Sequence, residues 1–271
     1  MFRLMEPSDW AAVKELWAAQ WDEPADQAEK AVRQFAGEEN TYLAEENGVL
    51  QALVLAVPVT LQGRRGCYLY GLCSRDDNDA AGLVDYVFSQ KSRQGADFVV
   101  TVPSGPQRSA FYAARGFSWA FGLRCLTREV RRNLWSQADF DAVTAKKLCE
   151  LRRQYCPDSV EVDPARMTVV LGELYARGIT IVSNDHGYGL YFRREDTLFF
   201  VELMADDDRA AEVLMEAARQ KEVVVEKAVI TVGAAQPLFL GEGTRQEYGM
   251  IRFACAPFDV SGSYMRLMME K

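Results

Sequence analysis

With 271 residues, the chain holds either one large domain or two modest ones. Half of it is apolar and a quarter charged, and 39 acidic against 31 basic side chains give a net charge of −8. That balance argues against a broad nucleic-acid or anionic-membrane surface, because phosphate binding runs on clustered Lys and Arg. In chain order, "MFRLM" predicts a short strand, and Ser8-Asp9 caps a helix with Trp10, Val13, Leu16 and Trp17 at helical spacing. Pro24 opens a second helix through about Phe35. "TYLAEENGVLQALVLAVPV" reads as a hairpin turning at Asn47-Gly48, and "CYLYGLCS" as the next strand. A helix closed by Gly95 follows, then the buried strand "ADFVVTVPS", the helix "PQRSAFYAARG" and the strand "FSWAFGLRCLTREV".

Beyond residue 130 the texture changes. "RRNLWSQADFDAVTAKKLCELRRQYC" predicts a charged linker helix, and "PARMTVVLGELYARG" a further helix. Three short strands span "ITIVSNDHGYGLYFRREDTLFFVELM"; an acid-capped helix "DDDRAAEVLMEAARQ" and a strand "VVVEKAVITV" come next. "YGMIRFACAP" and "SYMRLMMEK" are expected to close the chain as strands. The element order of the first half thus recurs in the second. The fold class is α/β (α+β): a mixed sheet flanked by helices.

The six cysteines (67, 73, 125, 149, 156, 255) form no Cys-x-x-Cys pair and sit mostly in apolar segments, as reduced packing residues of a cytoplasmic protein do. His186, the single histidine, lies in turn chemistry, so no metal site is expected. Arg3 and Glu6 precede any apolar run, which predicts no secretory signal. The run "ALVLAVPVTL" is about half of what a bilayer needs.

At "GLCSRDDNDAAGLVDY" a strand runs into a helix through Asp76-Asp77-Asn78-Asp79. Such junctions cradle phosphates through free N–H groups and the helix dipole, but carboxylates cap a helix start equally well. Gly71, inside an apolar strand, marks a bulge or a place where another group approaches the backbone.

"FYAARGF", residues 111–117, resembles the aromatic-Tyr-x-x-x-Gly-aromatic segment of the GNAT superfamily of acyl-CoA-dependent N-acetyltransferases. The order of elements over residues 1 to about 130 is similar to that superfamily as well. The remainder is similar to the tandem Eis-type branch, in which a degenerate GNAT-like domain follows the first. The resemblance implies three regions: a GNAT-like domain over 1–130, a linker helix region over 131–165, and a degenerate copy over 166–271.

It further implies that acetyl-CoA lays its pantetheine arm between strands ending near Ser74 and Val102. Backbone N–H groups around Leu72 and Cys73 would face the thioester oxygen, and Tyr112, supported by Phe111, would protonate the departing thiolate. The family's pyrophosphate loop, Arg/Gln-x-x-Gly-x-Gly/Ala, maps onto Arg75 through Asp79 to Ala80, with Asn78 where a glycine stands and a shortened loop before Arg75. Gly105 replaces the Asn that often precedes the aromatic motif. Arg64, Arg65, Arg75 and Arg108 are the cations that would offset the acids. Eis-type enzymes use the terminal carboxylate as base, which here belongs to Lys271, next to Glu270. The implied activity is acetyl transfer to a primary amine, on a small molecule or a lysine side chain, by direct attack in a ternary complex. Two alternatives stand beside it: an inactive GNAT-like binding module that has lost its phosphate loop, and an aminoacyl-tRNA-dependent aminoacyltransferase.

Overall fold

The computed structural model describes residues 1–21, 25–130 and 135–268, without the side chains of 25 and 26. The first half runs β1 (Phe2–Leu4), α1 (Trp10–Trp21), α2 (Ala25–Glu29, continuing as a π-helical Lys30–Ala36), β2 (Thr41–Glu46), β3 (Val49–Leu61), β4 (Arg64–Ser74), α3 (Asp77–Arg93), β5 (Phe98–Thr101), α4 (Pro106–Ala113) and β6 (Ser118–Glu129). The second runs β7 (Asp139–Phe140), α5 (Ala145–Tyr155), α6 (Pro164–Ala176), β8 (Thr180–Asn184), β9 (Gly187–Arg194), β10 (Thr197–Ala205), α7 (Asp208–Glu222), β11 (Lys227–Gly233) and β12 (Thr244–Phe253).

Local chemistry explains the boundaries. Asn47 and Gly48 adopt the positive φ angles (52° and 76°) of the tight β2–β3 turn. Pro106 starts α4, and Gly116 at φ 79° closes it while the Phe117 N–H donates to the Tyr112 carbonyl. The expected linker helix is shorter than its sequence suggested. Residues 135–138 carry no regular structure, Asp139–Phe140 pairs with β8, and α5 begins only where the Thr144 side chain accepts from the Lys147 N–H. Residues 131–134, and Pro24, lie outside the described residues.

All the described strands join one sheet, in the order β1-β2-β3-β4-β5-β12-β6-β11-β10-β9-β8-β7. Matching β1–β6 to β7–β12 makes this order identical from either edge. The halves exchange their sixth strands: β12 pairs with β5 and β6, and β6 pairs with β12 and β11. Each half has one parallel pair bridged by a helix, β4–α3–β5 and β10–α7–β11. The two crossover helices repeat residue by residue. Asp76 and Asp207 are the N-caps, and the fully buried Ala80, Leu83, Val84 and Val87 of α3 stand at the same distances from the cap as Ala211, Leu214, Met215 and Ala218 of α7.

Central strands are buried on both faces. In β3, Leu53, Leu55, Val57 and Val59 face one layer while Ala52, Val54 and Ala56 face the other. One apolar core runs beneath both halves, between the sheet and a layer of α1, α2, α5 and α6. On the opposite face α3 covers the first half and α7 the second.

Of the closing "SYMRLMMEK", the described residues 263–268 form no strand. Apart from a single bridge between Tyr264 and Ser159, they pack by side chains: Tyr264, Met265, Leu267 and Met268 are all buried in the shared core, a run that lacks the alternation a strand needs. Tyr264 belongs to a buried polar cluster. The Arg152 guanidinium on α5 forks onto both oxygens of Glu202 on β10, at 3.0 and 2.8 Å. The hydroxyls of Tyr188 and Tyr264 each donate to Glu202 at 2.8 Å. Arg152 is 2% exposed and Glu202 not at all, so the cluster is stable only because its members satisfy one another.

Two outcomes follow from that cluster. Glu202→Ala strands a buried guanidinium and is expected to cost about 3–5 kcal/mol. Arg152→Met combined with Glu202→Gln should cost less than the sum of the two single changes, as urea unfolding would show. Burial pushes the Tyr188 and Tyr264 hydroxyls well above the ordinary tyrosine value. Both ionise near pH ~10 only when unfolded, so their contribution is complete below that pH and is lost as pH rises beyond it. A fall in Tm above pH ~10, with phenolate absorbance from these two rings appearing only on unfolding, would bear this out.

Candidate active site

The strands β4 and β5 pair in parallel from Gly66/Phe98 to Leu69/Thr101, and their regular pairing ends there. At the same point β4 bulges against β3, and Gly71 takes φ 62°. A Cβ on Gly71 would lie 2.6 Å from the Trp17 ring, so the glycine serves both readings of the sequence: it forms the bulge and admits a close neighbour. That neighbour is a side chain of α1. The divergence opens a cleft of about 200 Å³ lined by Tyr70, Gly71 and Leu72 from β4, by Thr101–Ser104 after β5, by Arg108 and Tyr112 from α4, and by Trp17, Gln20 and Trp21 from α1.

Tyr112 is 4% exposed and held from several sides. Phe111 and Phe117 meet its ring edge-to-face with centroids 5.2 and 5.3 Å away. The Thr101 side chain, which lines the cleft with it, donates to the Leu69 carbonyl at 3.3 Å. Burial pushes the Tyr112 hydroxyl above the ordinary tyrosine value, so at neutral pH it carries its proton. A buried, protonated phenol at the end of two diverging strands is chemically suited to donate to an anion formed in the cleft.

Of the residues singled out in the sequence, Leu72, Arg108 and Tyr112 line the cleft together. Phe111 supports Tyr112 from behind and carries the Arg115 guanidinium 3.8 Å over its ring. Cys73 is fully buried and receives the Trp21 indole N–H at 3.0 Å. Ser74 ends β4. The Arg75 guanidinium is engaged by the Leu50 carbonyl and by Glu15, at 3.1 and 2.9 Å. Asp76 alone is the N-cap of α3, taking the Asn78 N–H at 2.6 Å; Asp77 and Asp79 occupy its first turn, and Ala80 packs in the core. Asp77 pairs with Arg108 at 3.2 Å. The helix start is thus capped by the protein's own carboxylate. Lys271 and Glu270 lie outside the described residues, and among the described residues no carboxylate lines the cleft.

Sequence reasoning missed Thr101, Gln20, Trp21 and Tyr70. The aromatics of α1 read as core at helical spacing, which Trp17 is; that Trp17 and Trp21 also wall the cleft follows only from the divergence of β4 and β5.

The second half has a counterpart cleft, and it is shut. Leu203 stands before Asp207 as Leu72 stands before Asp76, where β10 and β11 diverge. There Gln236, nearly buried, accepts the Gly233 N–H at 3.0 Å and donates to the Leu203 carbonyl at 2.8 Å, tying the two strands together. In the position of Gly71 stands Glu202, held by Arg152 of α5 as Gly71 is packed by Trp17 of α1. No helix equivalent to α4 separates β11 from β12 among the described residues. That loop wraps instead around Arg124, whose guanidinium donates to the carbonyls of Gln236, Leu238, Phe239 and Glu242.

No protein-family model matches the chain, and no curated protein matches it in sequence. Solved structures do match. An Enterococcus faecalis V583 protein of unknown function, described as a probable N-acyltransferase, superposes with a TM-score of 0.75 at 15% identity over 94% of this chain and 72% of its own. A GCN5-related N-acetyltransferase from Anabaena variabilis gives 0.71 at 14%, with the same two coverages. Eis1 from Mycobacterium abscessus gives 0.67 at 13%, over 94% of this chain and 74% of its own. At these identities the likeness is one of architecture, and it agrees with the mixed α/β sheet flanked by helices described above: the chain has the fold of the GCN5-related N-acetyltransferases.

Proposed function

We propose that the protein is an acetyl-CoA-dependent N-acetyltransferase with a single working cleft, in the first half, and that the second half is a degenerate copy acting as scaffold. The observation that carries this reading is the contrast between the two clefts. In the second, a side-chain amide bridges the diverging strands, donating to Leu203 and accepting from Gly233. The pantetheine arm of acetyl-CoA carries amides of the same chemistry, and the first cleft has the same divergence with no side-chain amide across it among the described residues.

In this reading the arm lies between Leu72 and the Val102–Ser104 segment, and β4 amides around Leu72 and Cys73 hold the thioester oxygen as it gains charge. A primary amine, brought in over the α1 aromatics, forms the new C–N bond to the acetyl carbon as the C–S bond breaks. Tyr112 gives its proton to the departing thiolate sulfur, and the proton that the attacking nitrogen sheds passes to solvent water, from which the Tyr112 hydroxyl is restored. Acetyl-CoA supplies the acetyl group; the chain supplies the channel, the amide dipoles and the acid. At the pyrophosphate end the fit is poorer, because Asp76 already holds an N–H of α3 and the acids nearby repel phosphate. Arg108 is the cation best placed to compensate, once released from Asp77.

The Asp76 cap favours a second reading, a GNAT-fold binding module that takes no CoA. Thermal unfolding with acetyl-CoA, CoA and ATP separates the two. Occupancy at one hundred times Kd adds about 2.7 kcal/mol, a rise in Tm of roughly 5–10 °C. The transferase reading expects that rise with acetyl-CoA and CoA but not ATP. It also expects Tyr112→Phe to keep the rise while lowering kcat for an amine acceptor by about a hundredfold or more. Absence of any shift at about millimolar acetyl-CoA would select the binding module.

A further inference from the structure

On the far side of the first half from Tyr112 lies a second cavity, of about 430 Å³, where the last turn of α3 and the β3–β4 strands meet the segment 161–164 of the second half. Its size falls in the range of small-molecule sites. The floor is fixed by a two-way backbone bridge between Thr60 and Glu161, with both N–H groups donating at 2.9 Å. Pro58, Val59, Val162 and Pro164 make much of its wall apolar.

Lys91, 8% exposed, lines this cavity. An ammonium has three donors, and Lys91 uses one, to the Asn40 side-chain oxygen at 2.6 Å. The Tyr42 ring lies 5.4 Å away, and no carboxylate among the described residues pairs with it. Glu39 reaches it only through Asn40, whose amide donates to Glu39 at 3.1 Å. Capping of α3 does not explain the residue either. The end of that helix is already closed by the N–H groups of Gln94, Gly95 and Ala96, which donate to the carbonyls of Gln90, Ser92 and Lys91.

A second cation joins it. The exposed Arg65 side chain lies over Gly95 and makes no ion pair among the described residues. Of the nearby acids, Glu161 is taken by Arg153 at 2.7 Å and Asp163 by Arg166, while Asp97 accepts the Arg65 backbone N–H at 3.3 Å and does not line the cavity. Among the described residues, Lys91 and Arg65 line the cavity without a carboxylate partner, whereas its two carboxylates, Glu161 and Asp163, are each paired. Burying an ammonium with donors unspent is costly unless an acceptor arrives. Burial also pushes the Lys91 amine below its ordinary value, with the Cys67 thiol and Glu39 working against that.

We propose that this cavity is a binding site for a small organic anion, with a carboxylate or phosphate head on Lys91 and Arg65 and an apolar body against Pro58, Val59 and Val162. It is separate from the Tyr112 cleft and independent of the transferase reading.

Calorimetric titration of the whole protein with benzoate, phenyl phosphate and inorganic phosphate, with benzyl alcohol as neutral control, tests it. At least one organic anion should bind with a Kd below about 1 mM, and benzyl alcohol should not. Lys91→Met should weaken that binding about tenfold or more, and the exposed Arg65→Gln, which leaves the fold untouched, by severalfold. Binding of inorganic phosphate as tight as that of phenyl phosphate would overturn the apolar half of the site. No anion bound below about 10 mM, or binding unaltered in both variants, would overturn the proposal whole.

Discussion

The structure depends on one topological constraint: β12, the last of the described strands, sits between β5 and β6. β4 and β5 pair over only four residues before they diverge to make the cleft, so β5 relies on its other neighbour to hold the sheet together there. Here β5 gains its second neighbour from more than a hundred residues away, through pairs such as Phe98 with Phe253 and Thr101 with Met250. The second half is completed by β6 in the same way. Neither half can bury its edges without the other, and one core runs beneath both.

With the frame secured twice over, the two halves have diverged in the one place where the frame is open. Where α1 meets β4, an aromatic ring lies on a glycine at positive φ, and the cleft beside it stays free. Where α5 meets β10, a guanidinium meets a carboxylate, two tyrosines complete the cluster, and Gln236 laces the strands together. The second arrangement costs desolvation of two charges, which four-way satisfaction of Glu202 offsets. It also anchors the C-terminal tail through Tyr264 in the shared core. A cleft laced by side chains contributes rigidity, and an unlaced one leaves room between the strands; the same fold supplies one of each.

Much of the first half was legible in the sequence, because local chemistry decides it. Asn47-Gly48 dictates a tight turn, Pro106 and Gly116 bound a helix, and the spacing within "FYAARGF" places Tyr112 at a helix–sheet junction. The acid run was legible as a helix cap, although Asp76 alone takes that role and Asp77 turns to Arg108. The exchange of sixth strands was not legible, since any antiparallel partner with alternating apolar residues satisfies β5 locally. The tail was misread for a related reason: "SYMRLM" is apolar enough for a strand, and only three-dimensional packing shows that Tyr264, Met265, Leu267 and Met268 all enter one core. Glu202 did leave a signal, a lone carboxylate within "TLFFVELM", which demands a buried partner; Arg152, fifty residues earlier, could not be picked from among its charged neighbours.

The central claim is that one cleft is open and the other laced shut, and titration calorimetry with acetyl-CoA reads this directly as a stoichiometry. The account predicts one site per chain, unchanged when Gln236→Glu alters the lacing residue and lost when Leu72→Trp fills the first cleft. Two sites per chain, or a single site that survives Leu72→Trp and responds to Gln236→Glu, would contradict it.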